Sequence, residues 1–160
     1  MKTLVERDLE WASRAPLAVT GGATSTASPE QVFAVLADHE RWPEWFPGVK
    51  RVEVLGPAEG VGARRRVSIP GAKVEERFIA WDLGQRWSFT GTAAQPGFVR
   101  SLVEDCQLAP HGAGGTAITY TMHMDPAPLF RPLLSLSKGR LTKNLDTAMA
   151  ALARRAEQGV

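Results

Sequence analysis

The part of the sequence that most constrains the fold is a run of six β-type segments separated only by short turns. Glycine, proline and aspartate, which favour tight turns, occupy most of the breaks between the segments. Connections this short join antiparallel neighbours, because parallel strands need crossovers of about a dozen residues or more. The segments are 49–55, 63–69, 73–81, 86–90, 98–108 and 116–124. The sequence therefore predicts an antiparallel sheet over the middle of the chain.

One further strand and two short helices are predicted before these segments. Residues 17–27 are small and compatible with a strand. Ser28 can cap a helix that begins at Pro29, and Gln31 completes a capping box. A second helical turn is predicted over 41–48. The two short helices therefore join the first strand to the second.

The end of the chain predicts a long amphipathic helix over 129–155. Its apolar residues recur at spacings of three and four, which form one stripe along a helix. Pro132 requires the regular helix to begin near Leu129, because proline is tolerated only in the first turn. A seven-stranded sheet must bury one face, and this helix is available to cover it. The sequence therefore predicts an α+β fold, in which a curved antiparallel sheet grips the helix around a hollow.

The length, net charge and cysteine content of the chain limit the class of protein to which it can belong. The 160 residues suit one domain, and we divide them into an N-terminal appendage, 1–15, and a single domain, 16–157. A formal net charge of only +2 gives no indication of nucleic-acid binding. A single cysteine, Cys106, excludes an internal disulfide. The chain has neither a signal-peptide pattern nor an apolar run long enough to span a bilayer, so we expect a cytoplasmic protein without stable membrane insertion.

Three stretches of the sequence resemble a known family. The run 28–49, the stretch 60–66 and the stretch 115–120 are similar to landmarks of START-like proteins of the SRPBCC superfamily. The nearest likeness is to the branch of polyketide cyclases, dehydrases and lipid transport proteins, and it covers about 17–156. The resemblance implies a helix-grip fold. It implies no particular activity, since aromatase/cyclases, coenzyme Q-binding proteins, plant allergens and lipid carriers share this scaffold.

Strand alternation indicates which polar side chains face the hollow. The apolar residues of 98–108 favour an inward set that also contains Arg100 and Glu104. An unpaired buried charge is costly, so these two require partners, water or a ligand. Glu104 in an apolar hollow can have a raised pKa and act as acid or base, and Tyr120 can position a carbonyl or phenol. We therefore name Glu104, Tyr120 and Arg100 as candidate catalytic residues; a solvent-open Arg100–Glu104 ion pair is the alternative.

A larger set of aromatic, apolar and polar residues is predicted to contact a ligand, although core packing is the alternative for its tryptophans and methionines. The candidate ligand-binding residues are Trp42, Trp45, Phe46, Arg65, Trp87, Phe89, Phe98, Met122, Met124, Phe130, Leu134, Ser137, Leu141 and Asn144. Arg64, Arg65 and Arg66 are consecutive on one strand, so their side chains face alternate sides of the sheet. They therefore cannot form one basic patch.

These residues support one main hypothesis for the function and two alternatives. The leading one is binding of a hydrophobic or aromatic small molecule, lipid-like or polyketide-like, in the hollow. The first alternative is an aromatase/cyclase or dehydratase that uses acid/base groups there, and the second is a partner-binding protein whose pocket is filled by its own side chains. We expect no cofactor, and no metal site, because the three histidines lie in different elements. A monomer and a homodimer both remain open.

Overall fold

A computed structural model describes residues 1–159 and joins its strands in one eight-stranded antiparallel sheet. The strands are β1 (Lys2–Thr3), β2 (Leu17–Ser25), β3 (Arg51–Val54), β4 (Arg64–Ile69), β5 (Ala72–Asp82), β6 (Arg86–Gln95), β7 (Val99–His111) and β8 (Gly115–Pro126). Their order is β2-β8-β7-β6-β5-β4-β3, and β1 pairs with β6. The predicted antiparallel sheet is confirmed, and the two-residue β1 is an additional strand.

The helices follow the predicted order, but the second short helix spans 39–44 where 41–48 was predicted, and the last helix is broken. They are α1 (Leu9–Ala12), α2 (Pro29–Ala37), a 3-10 helix (His39–Glu44), α3 (Arg131–Leu136) and α4 (Lys138–Glu157). Ser28 and Gln31 form the predicted capping box of α2. The last helix is not continuous from 129 to 155, because Ser137 leaves helical geometry at φ −86° and ψ 1°. α3 has no fully buried residue, and its Leu134 packs against the core only while partly buried, so this packing does not hold α3 in line with α4.

α4 lies in the grip of the sheet and packs closely on β2. Its buried residues are Leu145, Ala148, Met149, Leu152, Ala153 and Ala156. The Asp146 carboxylate accepts a hydrogen bond from the Gly22 amide at 2.9 Å. A Cβ on Gly21 would lie 2.5 Å from the Leu145 Cβ and 2.7 Å from the Asp146 amide nitrogen. The close packing of α4 on β2 therefore requires glycine, which has no Cβ, at position 21.

Gly21→Ala is expected to destabilise the protein by about 1–3 kcal/mol, because the added methyl meets backbone and Cβ atoms of α4 that cannot turn away. Gly139→Ala is the matched control: a Cβ there meets nothing within 4 Å, and helix propensity favours alanine by up to about 1 kcal/mol. Urea unfolding of both variants measures the difference. Equal free energies of unfolding for the two variants would contradict the packing described here.

The first residues of the chain pair with strands of the sheet. The amide of Leu4 donates to the carbonyl of Thr92 at 3.0 Å, and that of Val5 donates to the carbonyl of Arg100 at 2.8 Å. The Leu4 side chain is buried. The division of the chain at residues 15 and 16 stays a prediction, but these contacts attach the first residues to β6 and β7.

Candidate functional site

A cavity of about 530 Å³ lies between the sheet and the two C-terminal helices. Most of its lining is aliphatic or aromatic, and the exceptions are Arg65, Glu76, Glu104 and Asn144. Its lining also includes turn residues 47–48 and 70–71, which are exposed and mark the open end. Arg65 and Glu76 lie four residues along their strands from the β4–β5 turn, which is about 13 Å deeper at the usual rise of a strand. The cavity therefore has an apolar outer part and a polar inner part.

The structure brings most of the predicted ligand-binding residues to this cavity. Those that line it are Trp42, Phe46, Arg65, Phe98, Met122, Met124, Phe130, Leu134, Leu141 and Asn144. Four others do not line it. Trp87 and Phe89 are fully buried behind the wall, Trp45 packs against Trp42 at a ring-centroid distance of 4.9 Å, and Ser137 separates the two helices.

Among the three candidate catalytic residues, the structure separates Arg100 from the other two. A β-bulge between Val99 and Ser101 interrupts the alternation of β7, so Arg100 leaves the inner face while Glu104 keeps it. The Arg100 side chain is 50% exposed and donates to the Asp125 carboxylate at 2.9 Å. The expectation that Arg100 faces the hollow is therefore wrong, and so is the alternative of an ion pair with Glu104.

Arg65 supplies the buried positive charge in the place where Arg100 was expected. It stands directly opposite Glu76 in the β4–β5 pairing, and its Nε donates to Glu76 Oε2 at 2.5 Å. The Arg65 side chain is only 1% exposed. Its guanidinium carbon lies 4.0 Å from the ring centroid of Trp42 and 4.9 Å from that of Trp87. Aromatic faces attract a desolvated guanidinium, so these rings stabilise the charge as well as bury it.

His39, the first residue of the 3-10 helix, is the second hydrogen-bond partner of Arg65 after Glu76. Its Nε2 lies 2.9 Å from the carbonyl of Ala58, and its Nδ1 lies 3.3 Å from Arg65 Nη1. Burial and the charge of Arg65 lower the pKa of His39 to about 4, so the ring is neutral at pH 7. A neutral ring fits both contacts, with the proton on Nε2 donated to Ala58 and Nδ1 accepting from Arg65.

Glu104 and Tyr120 complete the polar inner part. They lie diagonally across the β7–β8 pairing, and the Tyr120 hydroxyl donates to Glu104 Oε2. Burial, reinforced by the charge of Glu76, raises the pKa of Glu104 to about 8, against the opposing effects of Tyr120 and Arg65. Burial also raises the pKa of Glu76, and the adjacent Arg65 guanidinium opposes that rise.

The charges of this buried polar cluster (Arg65, Glu76, Glu104, His39 and Tyr120) balance at neutral pH. Arg65 requires one anionic partner, because an unpaired buried guanidinium is costly, and Glu76 is the carboxyl that contacts it. Glu104 is then protonated and His39 is neutral. The inner part of the cavity therefore offers hydrogen-bonding groups with no net charge.

Sequence reasoning missed Glu76 and His39. The signal for Glu76 was present: it alternates in phase with Val74 and Phe78 along β5, whereas Glu75 and Arg77 occupy the other phase. His39 carried no comparable signal, because it lies before the predicted helical turn 41–48 and belongs to no segment with apolar periodicity. Among residues 1–159, no group of three or more histidine, cysteine, aspartate or glutamate side chains is arranged to hold a metal ion.

A helix-grip sheet around a cavity of ligand size defines a START-like protein. The family model described as polyketide cyclase / dehydrase and lipid transport matches residues 16–157, and the chain belongs to this family. An uncharacterized protein of Mycobacterium tuberculosis is 32% identical over 148 residues, which cover 86% of this chain and 87% of that protein. An uncharacterized protein of Mycobacterium bovis matches to the same extent.

Solved structures show the same fold at low sequence identity. The Zhui aromatase/cyclase from Streptomyces superposes with a TM-score of 0.75 at 18% identity and covers 89% of this chain and 94% of its own. A START superfamily protein from Mycobacterium smegmatis gives 0.71 at 16% identity, with coverage of 89% and 99%. A point mutant of Thalictrum norcoclaurine synthase gives 0.69 at 19% identity, with coverage of 89% and 95%. No helix in the described part of the chain is long and apolar enough to cross a membrane.

Proposed function

We propose that this protein binds one hydrophobic or aromatic small molecule in the cavity. The observation that carries the proposal is a volume of about 530 Å³ with a mainly apolar lining and a few convergent polar groups at its inner end. Pockets of roughly 300–1,000 Å³ with this composition are typical of small-molecule sites. The same volume argues against the alternative in which the pocket is filled by the protein's own side chains.

The buried polar cluster supports a neutral polar group on the ligand. Arg65 is already matched by Glu76, so a ligand carboxylate or phosphate would bring an unmatched negative charge into a buried site. A protonated Glu104 can instead donate a hydrogen bond to a carbonyl or phenol oxygen. The apolar part of the ligand would then lie against Met122, Phe98 and the helices.

Met122→Trp is expected to weaken binding of Nile red, a neutral aromatic ketone, at least tenfold. Met122 lines the cavity directly opposite Glu104, so the indole ring of the variant would fill the space beside Glu104. Nile red fluorescence in titrations of the wild type and the variant measures the affinity. Val61→Trp, at a side chain that is 68% exposed and outside the cavity, is the matched control. Wild-type affinity in Met122→Trp would contradict binding at this position.

A second candidate function is acid catalysis on the bound molecule, as in a cyclase or dehydratase. The observation that favours it is the pKa of Glu104, about 8, in a carboxyl that lines the cavity and is held by Tyr120. Such a group is protonated at pH 7 and can give its proton to a carbonyl oxygen or a departing hydroxyl. For this function, Glu104→Gln would retain Nile red affinity and lose turnover of a β-hydroxy ketone; unchanged turnover would exclude Glu104 as the acid.

A further inference from the structure

The mouth of the cavity is built from a repeated sequence pattern. All three Pro-Gly pairs of the chain form turns there, within segments 46–50, 69–73 and 95–100. Each pair is followed within three residues by a lysine or an arginine. The fourth side of the mouth is α3 with the first turns of α4, within segment 127–145. We call these four segments the mouth.

The mouth concentrates positive charge. Its four segments contain no aspartate or glutamate, and every basic residue in them is exposed. These residues are Lys50, Lys73, Arg100, Arg131, Lys138, Arg140 and Lys143. Asp125, just outside the segments, accepts from Arg100 at 2.9 Å and lies 4.0 Å from Arg131, so one carboxylate faces two guanidiniums. Since the whole chain carries a net charge of only +2, the positive charge is localised at this end.

The same surface exposes large apolar side chains. Leu129, Leu133 and Leu136 are 85%, 61% and 88% exposed, and their spacing of four and three places them on one side of the segment formed by the turn before α3 and by α3 itself. Leu133 also reaches the cavity, which Phe130 and Leu134 line as well. Exposed leucines grouped in this way are unfavourable in water and indicate an interaction surface. A short helix with exposed leucines on one side and basic residues around it has the pattern of an interfacial membrane segment.

We propose that the mouth docks on a bilayer surface that contains anionic lipids. Leu129, Leu133 and Leu136 enter the boundary between headgroups and acyl chains, and the surrounding lysines and arginines contact the headgroups. The charge is complementary to such a surface, and the absence of carboxylates from the four segments removes repulsion. Docking places the cavity opening against the bilayer, so that an apolar molecule can pass between them without crossing water. The proposal concerns the mouth alone and holds whichever molecule occupies the cavity.

Sedimentation with vesicles tests the docking surface without any ligand. We expect the full chain to bind phosphatidylcholine vesicles that contain phosphatidylglycerol, to bind pure phosphatidylcholine vesicles much more weakly, and to be released by salt. Lys138→Gln/Lys143→Gln should weaken binding about 25-fold, or roughly fivefold for each basic residue removed near an anionic surface. Leu129→Ser/Leu136→Ser should weaken it at least tenfold, since both leucines would leave the lipid.

Matched controls separate docking from folding and from cavity binding. Leu83→Ser/Val61→Ser changes two comparably exposed apolar residues elsewhere, and Arg14→Gln/Arg64→Gln removes two exposed charges elsewhere; both should bind vesicles like the wild type. Nile red affinity without vesicles should be unchanged in the two mouth variants. An unchanged affinity would show that they are folded and keep their cavity. Absence of vesicle binding, equal binding to both vesicle types, or equal effects of mouth and control variants would overturn the proposal.

Discussion

Arg65→Met is expected to destabilise the protein by about 3–5 kcal/mol, the usual effect of removing one partner from a buried ion pair. The guanidinium is 1% exposed, contacts Glu76 at 2.5 Å and lies 4.0 Å from the ring centroid of Trp42. Methionine keeps apolar contact with the aromatic rings but leaves the Glu76 carboxylate without a cation. The buried glutamate must then either remain ionised in a poor environment or take up a proton.

The double variant Arg65→Met/Glu76→Gln is the control for this interpretation. Replacing a whole buried ion pair costs much less than breaking it, so the double variant should recover most of the stability lost in Arg65→Met. Urea unfolding at pH 7 gives the free energies of unfolding for the wild type, both single variants and the double variant. Additive losses in the double variant would show that Arg65 and Glu76 do not stabilise one another.

Glu104→Gln is expected to be more stable than the wild type at high pH, by about 2–4 kcal/mol, and to show little difference below pH 4.5. The pKa of Glu104 is about 8 in the folded protein, against an ordinary value of 4.5. Each unit of pKa shift corresponds to about 1.4 kcal/mol, and water in the open cavity reduces the full effect. Glutamine imitates the protonated side chain and still accepts from Tyr120, but it cannot ionise.

The sign follows from proton binding in the two states. Below pH 4.5 the carboxyl is protonated in both, so burial of Glu104 carries no ionisation penalty. Between pH 4.5 and about 8 the unfolded chain releases its proton and the folded protein keeps it, so the wild-type free energy of unfolding falls as pH rises. Above about pH 8 the penalty is complete.

Unfolding free energies from pH 4 to pH 9 test this expectation. Glu59→Gln, at an exposed glutamate outside the cavity, is the matched control and should follow the wild type throughout. A difference between Glu104→Gln and the wild type that stays constant over this pH range would show that Glu104 is not held protonated by the fold.

The sequence predicted the fold because its turns and its amphipathic stripe are local signals. Glycine and proline indicated most of the turns between strands, and Ser28 with Gln31 predicted the start of α2. The end of β6 was missed, since its small residues up to Gln95 carry no hydrophobic alternation. The break at Ser137 was also missed, because the apolar periodicity continues across it although α3 has no fully buried residue.

The site was predicted in part for the same physical reason. Alternation placed Glu104 on the inner face, because β7 is regular at that point. It failed at Arg100, where a bulge that depends on the partner strand reverses the face. Arg65 was named as a ligand-binding residue, yet its partners were not recognised, since an ion pair across strands depends on a register that one strand does not reveal.

Native mass spectrometry of the freshly purified protein, before and after addition of Nile red, tests most directly whether the cavity takes one hydrophobic molecule. Our account predicts either one co-purified small molecule that is lost on denaturation, or one equivalent of Nile red on an otherwise empty protein. It also predicts that Met122→Trp holds much less of either. An apo mass for the wild type that stays unchanged at saturating Nile red would contradict the account.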